Sequence, residues 1–330
     1  MGLAVGVAAL CGGAARADGP AASNGWNWMA SFAKDSPACA GYGSRLYCYW
    51  RALNDTLIRS VYSNGSFPAP TSLDGVLTSG ASVGGAHNST ADGTPFHQTV
   101  AVRGTDHAVW LREMNSGVPT HWYSIGGIIH GRPSCSSVSL SSLICAVRGM
   151  DDGLWVNGRG TDQRFFGWGR VDNKDGTPRL NVRSSPQVIS RAGAGMLWAI
   201  VYLGDVAGTG KRDLWVSMDY SLGATKTTWT RLGVVDAAHD SDINCPSDGY
   251  SGVWGCAVRT LDNDVNHISI AWGNITGVGP QDRVVSQRII PKPNNFPVVG
   301  TPTIAYFRTT RNYTAIGIQT VQNHFWLRAD

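Results

Sequence analysis

The stretch VAVRGTDHAVWLR, residues 100–112, decides how this chain is read. Val100, Ala101 and Val102 form a short apolar run suited to a strand. Gly104, Thr105 and Asp106 then supply turn chemistry: glycine accepts positive φ, and an aspartate side chain can bond the backbone two residues on. Ala108 to Arg112 begin a second strand, with Val109 and Trp110 as β-favouring residues. The same phrase returns as CAVRGMDDGLWV at 145–156, as CAVRTLDND at 256–264, as CYWRALNDTLIR at 48–59 and as TAIGIQTVQNHFWLR at 314–328. A copy with a longer turn spans Trp198 to Tyr202 and then Asp213 to Ser217. The chain is a repeat array.

Each copy carries two further landmarks. Before the phrase lies a short strand, often opened by proline: SPACA from Ser36, GASVG from Gly80, RPSCS from Arg132, SPQVIS from Ser185, INCPS from Ile243 and TPTIA from Thr301. After it, a tryptophan commonly opens a small strand: WMASF from Trp28, WYSIGG from Trp122, WGRV from Trp168 and WTRLG from Trp229. Four strands thus recur every roughly 43–59 residues, the period of a propeller blade. The chain opens on a fourth strand with no preceding three, and ends on three strands with no fourth. This predicts an all-β fold, a six-bladed β-propeller with four strands per blade, the last blade closed by the N-terminal strand around Trp26 to Phe32. Closure removes the unpaired edges of an open sheet.

Composition fits. The 330 residues include 41 Gly and 13 Trp, only 15% are charged, and Glu113 is the single glutamate among 23 acids. Helix-favouring Glu and Lys runs are missing. The net charge of +4 carries no basic block, so nucleic acid is not implied as a partner. Residues 1–17 are apolar and rich in small residues and end in Ala15-Arg16-Ala17, an A-x-A cleavage pattern. They read as a secretory signal peptide, leaving 18–330 as one domain. The apolar run is too short to span a membrane, which takes about 20 residues. Removing the signal removes Cys11 and leaves six cysteines in near pairs at one repeat phase: Cys39/Cys48, Cys135/Cys145 and Cys245/Cys256. The phase predicts nearest-neighbour disulfides, and disulfides predict secretion. The spacings do not resemble a zinc site.

Three residue sets are candidates for chemistry. Arg51, Arg103, Arg148 and Arg259 recur at one phase; a guanidinium fork suits hydroxyl recognition, while the plainer role is bonding carbonyls between blades. Asp106, Asp151 and Asp262 are read first as turn residues. Trp110, Trp155, Trp215 and Trp326 recur at one phase and so read mainly as glue between blades, whereas Trp26, Trp50, Trp254 and Trp272 have no repeat to explain them. In GDVAGTGKRD, Asp205, Thr209 and Asp213 fit the alternation of a calcium loop, but Ala207 sits where a ligand belongs, so a non-binding turn is favoured. The eight histidines lack metal spacing and no G-x-S-x-G occurs. A glycosidase would need two placed carboxyl groups, both of them aspartates here. No catalytic residue and no cofactor are assigned. Sequons occur at Asn54, Asn64, Asn88, Asn274 and Asn312.

The phrase AVRGTDHAVWLR followed by HWYSIGGIIHGRPSCSS resembles the repeat of bacterial and fungal β-propeller lectins, whose units read roughly FVRGTDNALW, then W-x-x-LGG, then SxPA. The resemblance is best over residues 28–148 and weak after 199. It implies a secreted, blade-repeated protein whose partners are glycans, fucosylated or O-methylated, held between neighbouring blades. The chain departs from that family in having six blades rather than seven and in its three cysteine pairs. A second, six-bladed family of fucose-binding propellers uses an Arg, a Glu and a Trp in each site, which a chain with one Glu cannot repeat. The expected function is a secreted carbohydrate-binding propeller. Its sugar site is expected between the two best-preserved blades, lined by Arg103, Asp106, Trp110, Arg148, Asp151 and Trp155. The alternatives are a glycoside hydrolase or polysaccharide lyase, and a protein-interaction or adhesion scaffold, because a fold does not fix a function.

Overall fold

The computed structural model describes residues 26–30, 33–63, 67–86, 97–137, 142–177, 181–190, 197–206, 209, 211–221, 223–246, 253–271, 284–293, 296–308 and 312–329. The signal-peptide expectation and Trp272 lie outside them. The strands form a six-bladed propeller of antiparallel blades. Blade 1 runs outward through Ala38–Tyr42, Arg45–Arg51, Leu57–Tyr62 and Thr71–Ser72. Blade 2 uses Ser82–Ala86, His97–Arg103, Val109–Asn115 and Tyr123–Gly126. Blade 3 uses Ile129–Ser137, Leu143–Gly149, Leu154–Arg159 and Gly169–Arg170. Blade 4 uses Gln187–Ser190, Leu197–Asp205, Arg212–Ser221 and Thr230–Val235.

Blade 5 departs from the four-strand expectation. Its Val253–Arg259, Val265–Ala271 and Val284–Ile290 form a three-stranded sheet, and the inner position is reduced to one bridge between Asn244 and Ala257. Pro246 lies two residues on, and its missing N–H cannot extend a ladder. Blade 6 joins the ends of the chain: Val298–Arg308, Asn312–Thr320 and Phe325–Ala329 are completed by Trp26–Ala30, with Trp26 opposite Arg328 and Asn27 opposite Leu327. The Trp26 indole also donates to the Pro291 carbonyl at 2.8 Å.

Strand alternation sends apolar residues to both faces of each blade, so every gap between blades fills. Six buried clusters occupy the six gaps; for instance Tyr49, Leu57, Leu77 and Val100 lie between blades 1 and 2, and Cys48, Trp50, Ala305 and Phe325 between blades 6 and 1. Near the axis, small polar residues of the proline-marked segments tie blade to blade. The Arg132 amide donates to Ser185 Oγ (2.9 Å), Ser185 to Asp242 Oδ1 (2.5 Å), and Asp242 to Thr301 Oγ1 (3.0 Å). Inner strands approach so closely that a Cβ on Gly84 would lie 2.0 Å from the Cys135 carbonyl oxygen.

The cysteines pair as expected: Cys39–Cys48, Cys135–Cys145 and Cys245–Cys256. The first two pairs join directly opposed residues of an inner strand and its neighbour. Among the described residues no helix is long and apolar enough to cross a membrane.

Candidate functional site

The turns between second and third strands share one face with the segments that link blades. Each of five turns ends in a residue with positive φ, at Asp55, His107, Asp152, Asn263 and Asn323. Asn and Asp tolerate that conformation best. The side chain so placed also receives the residue four positions earlier. Arg51 Nε bonds Asp55 (2.8 Å), Arg148 Nε bonds Asp152 (2.8 Å), Arg259 Nη1 bonds Asn263 (2.6 Å) and Gln319 Nε2 reaches Asn323 (3.3 Å). Blade 2 has His107 there, and Arg103 instead donates to the Thr78 hydroxyl and carbonyl, each at 2.9 Å. The repeated arginines therefore serve turns and linkers, including the Arg183 carbonyl for Arg148 (3.4 Å) and the Gly300 carbonyl for Arg259 (3.2 Å). The R-x-x-x-[DN] spacing was present in the sequence as a signal for this.

The repeated aspartates have a double role. Asp106 Oδ1 accepts from the Ala108 amide (3.1 Å) and from the Trp110 indole (3.0 Å). Asp151 Oδ1 does the same for Gly153 (3.1 Å) and Trp155 (2.9 Å). Burial works against ionisation of both carboxyls, but the indole and amide donors outweigh it and hold them below the usual range. The Cδ1–Nε1 edge of each indole lies against the glycine that follows the arginine. A Cβ on Gly104 would meet Trp110 at 2.6 Å, and one on Gly149 would meet Trp155 at 2.5 Å. Glycine in this motif makes room for the ring.

The six expected site residues are not brought together into one pocket. Trp110 packs on the cluster between blades 1 and 2, and Trp155 on that between blades 2 and 3. Arg103 and Arg148 turn to different linkers. The structure therefore shows two sets related by the repeat, one per gap. A third member is Trp215, which packs between blades 3 and 4.

An outer-strand arginine completes the sets in blades 3 and 4. Arg170 stands opposite Trp155 in the strand pair, with Nη1 4.0 Å from Asp151 Oδ2 and Nε 2.9 Å from Asp172. Arg231 stands opposite Trp215 and pairs with Asp213 at 2.7 Å. In blade 2 the same position is Ser124, opposite Trp110. Asp151, Arg170 and Arg231 side chains are 42%, 33% and 48% exposed, and Trp110, Trp155 and Trp215 are partly exposed. Partly exposed indoles thus sit beside an aspartate in blades 2 and 3 and beside a guanidinium in blades 3 and 4, while Asp213 of blade 4 is buried under Arg231. Such a set can stack on an apolar sugar face while bonding hydroxyls. The W-x-R spacing at Trp168/Arg170 and Trp229/Arg231 carried this signal.

The tryptophans without a repeat prove to be core: Trp26, Trp50 and Trp254 are buried. The outer-strand tryptophans are clamps. Trp122 donates to the Leu73 carbonyl of blade 1 (3.3 Å) and Trp168 to the Ile125 carbonyl of blade 2 (3.0 Å).

The calcium-loop candidates do not converge. Asp205 is held by Arg212 and by Arg183 (2.9 Å), Thr209 Oγ1 bonds its own turn at Val206 (3.1 Å), and Asp213 faces Arg231. Arginines stand where a cation would. Among the described residues no three His, Cys, Asp or Glu side chains gather as metal ligands.

No protein-family model matches the sequence, and no curated protein does. Solved structures do match in fold. A mutant of AofleA from Arthrobotrys oligospora superposes with TM-score 0.63 at 10% identity, over 92% of this chain and 85% of that one. The fucose-specific lectin from Aleuria aurantia gives 0.57 at 9% identity, over 90% and 92%. The α-L-arabinanase of Penicillium chrysogenum, complexed with arabinobiose, gives 0.58 at 10%, over 92% and 98%. At these identities the likeness establishes the propeller fold.

Proposed function

We propose that this chain is a secreted carbohydrate-binding propeller, residues 18–330 acting as one domain, with shallow sugar sites in the gaps between blades. The observation that carries the reading is the Trp155–Asp151–Arg170 set, with Trp215 and Arg231 repeating its tryptophan and arginine one blade on. Trp110 and Asp106 form a reduced version in the preceding gap. Arg103 and Arg148 belong to these sites as supports of the turns that carry Asp106 and Asp151, rather than as direct sugar contacts. The fold shared with lectins that bind fucose, and the resemblance of residues 28–148 to propeller-lectin repeats, favour a fucosylated or O-methylated glycan. Three disulfides favour an oxidising, extracellular setting.

One stacked ring and one charge-assisted bond amount to about 2–4 kcal/mol, so each site binds at roughly millimolar strength. Several sites in one ring then gain by multivalency on clustered glycans. Catalysis is the weaker reading. Asp35 and Asp242, which both lie within electrostatic reach of Arg132, are already engaged, Asp35 by Arg51 (3.1 Å) and Asp242 by the Ser185 amide (2.5 Å). A glycan-array screen run beside a chromogenic glycosidase panel tests the choice. Array binding without turnover supports the lectin reading, and turnover without array binding replaces it with the enzyme.

A further inference from the structure

Arg132 lies within the inner strand of blade 3, at the irregularity between His130 and Ser134, and is 5% exposed. Its surroundings place it on the propeller axis. Nη1 reaches the Ala81 carbonyl of blade 2 at 3.5 Å, while Asp35 on the linker into blade 1 and Asp242 on the linker into blade 5 both lie within electrostatic reach. Groups from so many blades meet around one side chain only at the centre of the ring.

The guanidinium is incompletely used. Nε and Nη2 are closed to bulk solvent and have no hydrogen-bond partner among the described residues. These two nitrogens form the side-on edge of the guanidinium, the edge that grips a carboxylate through two parallel bonds. Leaving two such donors unmet in a protein interior is costly, and native structures rarely do so without a reason.

The neighbouring acids do not fill the edge. Asp35 is ion-paired with Arg51, and it is the acid within electrostatic reach of both Arg103 and Arg132. Asp242 Oδ1 is committed to the Ser185 amide. Arg103 makes no ion pair among the described residues, because His107 replaces the acidic turn residue of blades 1 and 3. Arg51 is matched by Asp55 as well as Asp35, so the guanidinium groups left without an acid of their own near Asp35 are those of Arg103 and Arg132.

We propose that the centre of the ring is a carboxylate-binding site, in which the Nε/Nη2 edge of Arg132 holds the anion and Arg103 supplies the surrounding positive field. The site is separate from the sets between blades and does not depend on the lectin reading. Its ligand is a free small carboxylate or the carboxylate of an acidic sugar, and both sources present the same two oxygens.

The test uses the full oxidised chain, with sodium acetate and sodium glucuronate titrated at constant ionic strength and the melting temperature as readout. A ligand that binds only the folded state raises that temperature saturably. The expected result is a saturable rise with acetate that the Arg132→Lys variant, which keeps the charge and loses the two-pronged edge, weakens roughly tenfold or more. Arg45→Ala keeps the response, because Arg45 is an exposed arginine at the start of the second strand of blade 1. A rise with glucuronate as well identifies acidic sugars as the source, and a rise with acetate alone identifies free carboxylates. Should Arg132→Lys fail to fold, 15N-arginine spectra of the wild type replace it, and one Nε–H resonance moves on adding acetate. Absence of both the thermal shift and the resonance shift overturns the site. An Arg132→Lys response equal to wild type also overturns it, since that marks a general salt effect.

Discussion

Glu113→Gln isolates the one glutamate of the chain. Glu113 lies on the third strand of blade 2, 16% exposed, with Oε1 2.7 Å from Arg159 Nη1 of blade 3. The Tyr123 hydroxyl donates to the same oxygen at 2.7 Å, and His97 Nε2 lies 3.3 Å from the other. Burial alone would raise its pKa, but His97, Tyr123 and the Arg159 charge together pull it from 4.5 to about 2. A shift of about 2.5 units corresponds to about 3 kcal/mol of folding stability at neutral pH. That agrees with the ~3–5 kcal/mol usual for breaking one side of a buried pair. The glutamine keeps the shape but leaves Arg159, 8% exposed, without its counter-charge. Urea unfolding with disulfides intact should therefore place the variant about 3 kcal/mol below wild type at pH 7. Because the folded pKa is depressed, the wild-type advantage is complete above about pH 5 and drains as pH falls toward about 2. At pH 3 the gap should be about 1–1.5 kcal/mol. A gap under about 0.5 kcal/mol at pH 7, or one that ignores pH, would refute the ion pair as a tie between blades 2 and 3.

Three further outcomes follow from the fold. Deleting residues 18–32 removes the strand Trp26–Ala30 and bares Phe325–Ala329, so the truncated chain should aggregate; a monomer melting with the wild type would contradict ring closure. Gly84→Ala forces a Cβ onto the Cys135 carbonyl and should cost about 3 kcal/mol or more in chemical denaturation, whereas an unchanged midpoint would mean the inner strands are farther apart. Non-reducing peptide mapping should return Cys39–Cys48, Cys135–Cys145 and Cys245–Cys256, and reduction should lower stability by roughly 2–3 kcal/mol per bond; a long-range pair such as Cys48 with Cys145 would break the blade register.

The architecture was legible because it rests on repetition. The RGTD turns, the proline-marked inner strands and the outer-strand tryptophans each recur, and the incomplete repeats at the two ends of the chain already implied a shared blade. The site was legible only in part. Alternation along a strand separates two faces but does not say which neighbouring blade each face meets, and so Trp110 and Trp155 were expected in one pocket although they pack in successive gaps. Arg170 and Arg231 went unrecognised because each lies on a short outer strand, where its partner is a tryptophan 15 or 16 positions away. Isolated tryptophans were open to a ligand reading because sequence carries no burial; Trp26, Trp50 and Trp254 fill gaps that no repeat announces. Arg132 was visible only as the first letter of RPSCS, since its meaning depends on residues from other blades meeting at the axis.

The central claim is that the gap bearing Trp155, Asp151 and Arg170 binds glycan, and calorimetric titration of Arg170→Ala against the wild type measures it most directly. The ligand is the tightest binder from the array, presented multivalently, and the melting curve serves as control. The side chain of Arg170 is one-third exposed and packs in no core cluster, so its removal should leave folding within about 0.5 kcal/mol of wild type. Loss of one charge-assisted bond should weaken that site roughly tenfold or more. Unaltered binding by a folded Arg170→Ala protein would contradict the account.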